Sequence, residues 1–204
     1  MVRLCSLLLR RLYLELEMAS KEHMQPLIAA IASMSMAPWN HWRIDNPHIR
    51  PDLLGVELTD INLSYAYLSY ADLSHADLSR TNLHHATLQH TDLSSTSLRK
   101  ADLHEADLSY AVLKGADLRG ANLRDAKLCG TYLIGARLEA ADLRGADLTD
   151  AVADPEAIGG QKSWLSGGVG KLEKLALGLF ARAKAKGRPE PDADTEPPRY
   201  CKHL

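Results

Sequence analysis

Leucine recurs at every fifth position along the middle of the chain, from Leu58 to Leu148, nineteen times without a break. A small or β-branched residue, most often alanine, stands two positions before each of these leucines, and the residue between them is usually Asp or Asn. The unit therefore reads Ala-Asp/Asn-Leu followed by two variable residues, as in ADLSH at 71–75. This unit organises the chain.

A period of five suits neither regular element. On an α-helix, five residues advance about 500°, so successive leucines would cover the whole cylinder. On a flat strand, an odd step places successive leucines on opposite faces. The backbone must therefore change direction once per unit. Alanine and leucine are two apart and lie on one side of an extended segment, so repeated bending toward that side winds a coil around a leucine-lined axis. Asp, Asn, Ser and Gly suit the bends.

The residues from 56 to 151 resemble the pentapeptide-repeat family. This resemblance implies an all-β solenoid, specifically a right-handed quadrilateral β-helix with four units per coil. Nineteen units at four per coil would give about five coils. The stretch from Trp39 to Leu53 also resembles a lead-in found in some members. In this family the fold is shared and the function is not, so the resemblance predicts architecture more sharply than activity.

Three regions follow from the pattern: an N-terminal extension at 1–50, the β-helix at 51–153, and a C-terminal region at 154–204. The first seventeen residues make a poor export signal, since Arg10 and Arg11 interrupt a short apolar run. A translation start at Met18, or a short amphipathic helix, is the alternative interpretation.

A helix is predicted over 20–37, ended by Pro38. Its apolar stripe comprises Leu27, Ile28, Ile31, Ala32 and Met34. Trp39 and Trp42 follow, and we expect them to cap the first coil, because an uncovered coil end is an exposed strand edge. A binding surface is the alternative for this pair.

The C-terminal region contains a Gly-rich linker, an amphipathic helix predicted over 169–186, and a Pro-rich, charged tail typical of disorder. Three roles stay open for this helix: it caps the last coil, pairs with a second copy or a partner, or lies on an anionic membrane surface. Its large apolar residues are the partner-binding candidates of this region: Leu172, Leu175, Leu179 and Phe180.

With four units per coil, residues twenty apart stack in columns. One column reads Tyr70, His90, Tyr110, with Tyr65 and His85 one corner away. These aromatic residues could dock a partner, since aromatic side chains are favoured at interface centres. A simple stacking ladder is the alternative. Another column reads Asp52, Asp72 and Asp92, where each Asp either ties its own turn or raises the pKa of its neighbours.

Histidine is concentrated in the same stretch. His84 and His104 would share a column, with His85 and Glu105 alongside. Three imidazoles and a carboxylate could hold zinc or another divalent metal, or respond to pH. Exposed positions of such a solenoid are permissive, however, so we assign the protein no metal and no cofactor.

Catalysis has little support, because the sequence has no Gly-rich phosphate loop, nucleophile motif or HExxH. Some relatives protect DNA gyrase by resembling DNA. Over 51–151, fifteen acidic and nine basic residues leave six negative charges (15 − 9), against about 14 for duplex DNA of the same length. We therefore predict a non-catalytic interaction scaffold with a protein partner and no direct nucleic-acid binding. Gyrase modulation is the alternative, and membrane association through the C-terminal helix is the second alternative.

The net charge of −2 favours neither a nucleic-acid binder nor an acidic tail. The three cysteines are odd in number and lack metal-ligand spacing. This usage is typical of a reducing compartment, so we expect a cytoplasmic, bacterial protein. Self-association through a terminal helix stays open.

Overall fold

The middle of the chain winds so that it returns to the same register every twenty residues. The computed structural model describes residues 21–154. Within them, parallel bridges join Asp52 to Asp72, Asp72 to Asp92, and Asp92 to Val112, and the same step recurs along the other columns. Since the unit is five residues long, four units complete one turn of the solenoid. Its four faces are numbered 1 to 4 by their first leucines, Leu58, Leu63, Leu68 and Leu73.

Regular strand is scarce, because each unit offers only about three extended residues before the chain turns. The described residues contain two short strands, β1 at Tyr132–Leu133 and β2 at Val152–Ala153, which pair in parallel. Elsewhere the ladder is a series of single-residue bridges. The expected repeat solenoid is therefore present, but its sheets are one bridge wide on each face.

Each corner of the solenoid is a tight turn with one residue of positive φ. The N–H of Ile61 donates to the carbonyl of Leu58 at 3.3 Å, and Asp60 between them has φ 62°. The same position in every unit from 55 to 150 has positive φ, fourteen times in a non-glycine residue and six times in glycine. This geometry matches a type II turn, which requires positive φ at its third residue.

Where Asp or Asn precedes the leucine, its side chain holds the following turn. In the unit 71–75, Asp72 Oδ1 accepts the N–H of Ser74 at 3.0 Å, and the same bond occurs at Asp52 and Asp92. The interpretation that these aspartates tie their own turns is therefore confirmed. Asp and Asn suit this role because their short side chains reach the backbone two residues ahead.

The leucines and alanines fill the axis. Every repeat leucine from Leu58 to Leu118 is fully buried, and exposure rises only slightly toward Leu143 and Leu148 at the last coil. Threonine replaces alanine at a few inward positions without leaving its hydroxyl unpaired: Thr81 Oγ1, for example, donates to the carbonyl of Leu58 at 2.6 Å. The dry axis that the leucine spacing requires is therefore present.

Two helices, rather than the single one predicted over 20–37, precede the solenoid. Helix α1 spans Lys21–Ala32 and α2 spans Ala37–Asp45. The chain reverses at Met34, which has φ 54°, while the N–H of Ser35 returns to the carbonyl of Ala30 at 3.0 Å. Pro38 therefore lies in the first turn of α2 and does not end a helix. Its missing N–H has no partner to lose at that position.

The predicted apolar stripe of the first helix is correct only in part. Leu27, Ile28 and Ile31 are buried, but Ala32 is exposed and Met34 is 87% exposed. Ala32 is the last residue of α1 and Met34 follows it, where the chain bends away from the core. Met24 and Ala30 complete the buried face instead.

Helix α2 covers the edge of the first coil on face 3 and supplies the hydrogen bonds that a preceding coil would make. Trp39 is fully buried, and its Nε1 donates to the carbonyl of Tyr67 at 2.8 Å. Asn40 accepts the N–H of Tyr67 and donates to the carbonyl of Tyr65, both at 2.9 Å. Arg43 donates to the carbonyl of Ser69 at 3.0 Å. Side chains thus satisfy a strand edge that would otherwise be open.

Trp42 stays half-buried beside Trp39, with ring centroids 5.3 Å apart. The predictions for the first seventeen residues, for the linker after Asp154, for the helix at 169–186 and for the tail concern residues outside the described range.

Candidate interaction surface

The aromatic column on the corner between faces 3 and 4 forms a continuous stack, called here the aromatic strip: Tyr70, His90 and Tyr110. The Tyr70 and His90 rings are 4.9 Å apart and 4° from parallel. The His90 and Tyr110 rings are 5.2 Å apart at 13°. The positive φ of each residue directs its ring outward from the corner at the spacing of successive coils. The predicted stacking ladder is therefore present.

The strip ends over a glycine. A Cβ on Gly130, the next residue of the column, would lie 2.6 Å from Cε1 of Tyr110. The Tyr110 ring thus occupies the space that a side chain at this corner would fill. The lack of a side chain at Gly130 allows the ring to lie against the corner.

Burial changes the acid–base properties of the strip. Burial between two rings lowers the pKa of the His90 imidazole, and Asp107 opposes this only partly. Burial raises the pKa of the Tyr110 hydroxyl, and the negative charge of Asp150 adds to the effect. Both groups are therefore held in their neutral forms, so the strip is a polar but uncharged surface around neutral pH.

Tyr65 and His85 form a second aromatic column on the other corner of face 3. Their rings are 5.0 Å apart at 29°. Tyr67 lies on face 3 between the two columns, and its exposure of 43% is comparable with 56% for Tyr65 and 39% for Tyr70. The sequence-based prediction did not include Tyr67 among the candidate docking residues. Its replacement of the usual Asp or Asn before the leucine is the signal that could have found it.

The histidine patch comprises His84, His85, His104 and Glu105, which the structure does bring together. His84 and His104 stack with ring centroids 5.1 Å apart at 13°, and their Nδ1 atoms face the backbone carbonyls of the next coil. His85 Nδ1 lies 3.1 Å from Glu105. Parallel rings do not converge on a common centre, and no group of three or more potential ligands in residues 21–154 has the geometry to hold a metal ion.

Face 4 carries an apolar surface that was not anticipated. Val112, Tyr132 and Val152 pair in successive coils at the position that holds Asp on the earlier coils, and Ile134 beside them is 41% exposed. The signal was available in the sequence, because Val112, Tyr132 and Val152 are apolar or aromatic at the position that usually holds Asp or Asn.

Charges near the C-terminal end of the solenoid are largely paired on the surface. Arg119 binds Asp117 through its side chain, and this hydrogen bond lowers the pKa of the Asp117 carboxyl to about 2. Arg144 does the same for Asp142, whose pKa is also lowered. Because each carboxylate is paired with a guanidinium, these pairs reduce the negative electrostatic potential of faces 1 and 2.

One groove lies between the start of α2 and face 2. It encloses about 360 Å³ and is lined by residues of the helix turn and the first coil: Met34, Ser35, Met36, Ala37, Asn40, Asn62, Ser64 and Tyr65. Its lining has no Asp, Glu, Lys, Arg, His or Cys side chain for acid–base or nucleophilic chemistry.

The five-residue units match a known protein family. The profile described as pentapeptide repeats matches in eight copies, over residues 57–94, 88–125 and 121–152. Together these segments cover the whole run of five-residue units. The chain is a pentapeptide-repeat protein. The recognition made from the sequence is therefore confirmed.

Solved pentapeptide-repeat proteins resemble this one in sequence. The protein alr5209 from Nostoc PCC 7120 is 36% identical, over 58% of this chain and 94% of its own, with a TM-score of 0.46. Rfr23 from the cyanobacterium Cyanothece 51142 is 43% identical over 46% of this chain, with a TM-score of 0.45. The pentapeptide-repeat protein described here spans 65% of the length of Rfr23.

More distant matches include QnrB1, a plasmid-mediated fluoroquinolone resistance protein, at 20% identity over 46% of this chain and 58% of its own, with a TM-score of 0.32. All these TM-scores are below 0.5, so we infer no activity from them. Among curated proteins, none matches the sequence significantly.

The cytoplasmic location expected from the cysteine usage stays a prediction. Within residues 21–154, neither helix has the length and apolar character needed to cross a membrane.

Proposed function

We propose that this pentapeptide-repeat protein is a non-catalytic scaffold for protein–protein interaction. We further propose that its solenoid is the right-handed quadrilateral β-helix of about five coils implied by the family resemblance. The twenty-residue register of the bridges supports four sides per coil. Flat and convex faces suit docking, whereas enzyme active sites are usually concave.

The observation that carries this proposal is the exposed aromatic surface around face 3. The aromatic strip lies on one corner and Tyr65 with His85 on the other, and Tyr67 lies between them. Tyrosine supplies a large amphipathic contact area with few rotatable bonds, which is why it is enriched where proteins bind one another.

The surface is also pre-arranged for binding. The backbone N–H of Tyr70 donates to the backbone carbonyl of Gln89 at 2.9 Å, and the Tyr70 ring is stacked on His90. The backbone N–H of Tyr65 donates to the backbone carbonyl of His84 at 2.9 Å, and the Asn40 side chain donates to the carbonyl of Tyr65. A partner therefore meets rings that are carried on a hydrogen-bonded backbone and stacked on neighbouring rings, which lowers the entropic cost of association.

Co-purification of tagged protein from its own cell tests the proposal. The variant carries Tyr65→Asn and Tyr70→Asn, because Asn tolerates the positive φ of these corners. His75→Asn is the matched control, at the same corner position of face 4. We expect the wild type and the control to retain the same partner and the double variant to lose it. Equal recovery with all three proteins would refute docking through this surface.

Modulation of DNA gyrase is the alternative function. Six net negative charges over 51–151 are fewer than half of the about 14 carried by duplex DNA of equal length, and the uncharged aromatic strip interrupts any acidic face. A supercoiling assay with a quinolone separates the two proposals: protection at micromolar protein would favour gyrase. Membrane attachment through 169–186 is the second alternative, which binding to anionic vesicles would reveal.

A further inference from the structure

Face 4 changes character along the solenoid axis. Its first coils present Asp52, Asp72 and Asp92 at the outward position before leucine, whereas its later coils present the apolar column Val112, Tyr132 and Val152 with Ile134 alongside. Faces 1 and 2 carry no apolar residue at either outward position between their corners. The face thus divides into an acidic half and a largely apolar half, in which Lys114 and Asp154 lie in the same column as Ile134.

The apolar half is also smooth at its edges. Gly115 and Gly135 occupy the corner that follows face 4, so no side chain projects there. On the preceding corner, Gly130 leaves the Tyr110 ring lying against the backbone. A flat strip bounded by glycine accepts a rod-like element more readily than a corner lined with long side chains.

We propose that the amphipathic segment 169–186 of this same chain docks lengthwise on face 4. Its apolar positions, Leu172, Leu175, Leu179 and Phe180 among them, would cover the Val112–Tyr132–Val152 column and Ile134. This inference does not rest on the scaffold proposal, whose surface is face 3 with its two corners, although the corner that carries the aromatic strip is shared with face 4.

The path of the chain supports this occupant. Strand β2 pairs with β1 on face 4 itself, and Asp154 Oδ2 accepts the N–H of Gly135 at 2.6 Å. The chain therefore leaves the solenoid at the apolar end of this face. The fourteen residues at 155–168 can span up to about 46–50 Å when extended, which is ample for the chain to turn back.

Dimensions and charge agree with this placement. An eighteen-residue helix is about 27 Å long, and the five strand spacings from Asp52 to Val152 make face 4 about 24 Å tall. The segment carries five cations, Lys171, Lys174, Arg182, Lys184 and Lys186. Three of them are at its C-terminal end, which would lie over the acidic half of the face if the segment runs back from the last coil toward the first.

Hydrogen–deuterium exchange on the full chain tests the docking. The variant combines Val112→Asn and Tyr132→Asn, because Asn62, Asn82 and Asn122 occupy the same position in other units and the coil accepts them. In the wild type we expect slow exchange at 169–186. In the variant we expect exchange there to become about tenfold faster or more, as for loss of a large buried apolar contact, with coil amides unchanged.

Two further variants keep the test decisive. Tyr67→Asn makes the same chemical change at the same position of face 3 and should leave 169–186 protected. Ile134→Lys introduces the residue found one coil earlier at Lys114, and should expose the segment even if the double variant folds poorly. Rapid exchange of 169–186 in the wild type would overturn the proposal, as would protection that survives both face 4 changes, disappears on dilution, or needs anionic vesicles.

Discussion

Replacing Gly130 by alanine should destabilise the solenoid by two separable effects. The first is conformational: Gly130 has φ 68°, and a Cβ in this region costs about 1–2 kcal/mol, partly offset by about 0.4–1 kcal/mol because alanine restricts the unfolded chain. The second is steric, because the new Cβ would lie 2.6 and 2.7 Å from two carbons of the Tyr110 ring. Displacing that ring disturbs its stack on His90, and such overpacking costs about 1–3 kcal/mol.

Gly55→Ala isolates the first effect. Gly55 has φ 65°, yet a Cβ there meets nothing within 4 Å. We therefore expect about 0.5–1 kcal/mol of destabilisation for Gly55→Ala and about 2–4 kcal/mol for Gly130→Ala. Urea unfolding followed by circular dichroism measures both, and repeating Gly130→Ala in a Tyr110→Ala background measures their coupling.

The double variant tests whether the Tyr110 ring causes the steric cost. If the ring is the obstacle, Gly130→Ala in the Tyr110→Ala background should cost no more than Gly55→Ala. Equal destabilisation by the two glycine changes in the native background would show that the Tyr110 ring moves freely. The account of the aromatic strip as a fixed stack would then be wrong.

Three other predictions concern the cap and the titrating groups. Asn40→Ala removes the acceptor for the Tyr67 N–H and should lower the free energy of unfolding by about 1–3 kcal/mol; an unchanged urea midpoint would contradict the role of α2 as a substitute coil. The lowered pKa of His90 means that the unfolded chain takes up a proton first as pH falls, so stability should decline from about pH 6.5 downward. His90→Asn should flatten the stability curve between about pH 7 and 5, and identical curves would count against the effect. Arg119→Gln should raise the pKa of Asp117 from about 2 toward 3.8, as read by carboxyl-carbon NMR. The contribution of this pair is present above about pH 4 and is lost as pH falls toward 2, and an unmoved Asp117 titration would exclude Arg119 as its cause.

The coil could be predicted from the sequence because two features of the repeat agree: the spacing of the leucines requires a turn in each unit, and Asp or Asn in most units stabilises that turn. Leu63 and its equivalents share one axis only if the chain turns, and Asp72 shows how the turn is held. The stacking of Tyr70 on His90 followed from the twenty-residue register, although the number four came from the family resemblance rather than from spacing.

Other features depended on tertiary context. Pro38 is compatible with either the end or the beginning of a helix, and only the packing of Trp39 against the first coil selects the second. Tyr67 and Val112 were not predicted as surface features, because the position before leucine usually holds an Asp or Asn that serves the turn. The bonds from Asn40 to the first coil could not be inferred, since they join residues with no periodic relation.

The register of twenty also constrains how such a chain can change length. Duplication of a single unit after Tyr70 would carry His90 and all later residues a quarter turn around the axis, so that every downstream column would face a different neighbour. Duplication of four units would lengthen the rod and leave each later residue on its original side. Surfaces built from several coils, such as the stack from Tyr70 to Tyr110, can therefore be inherited intact only when the chain grows or shrinks by whole turns.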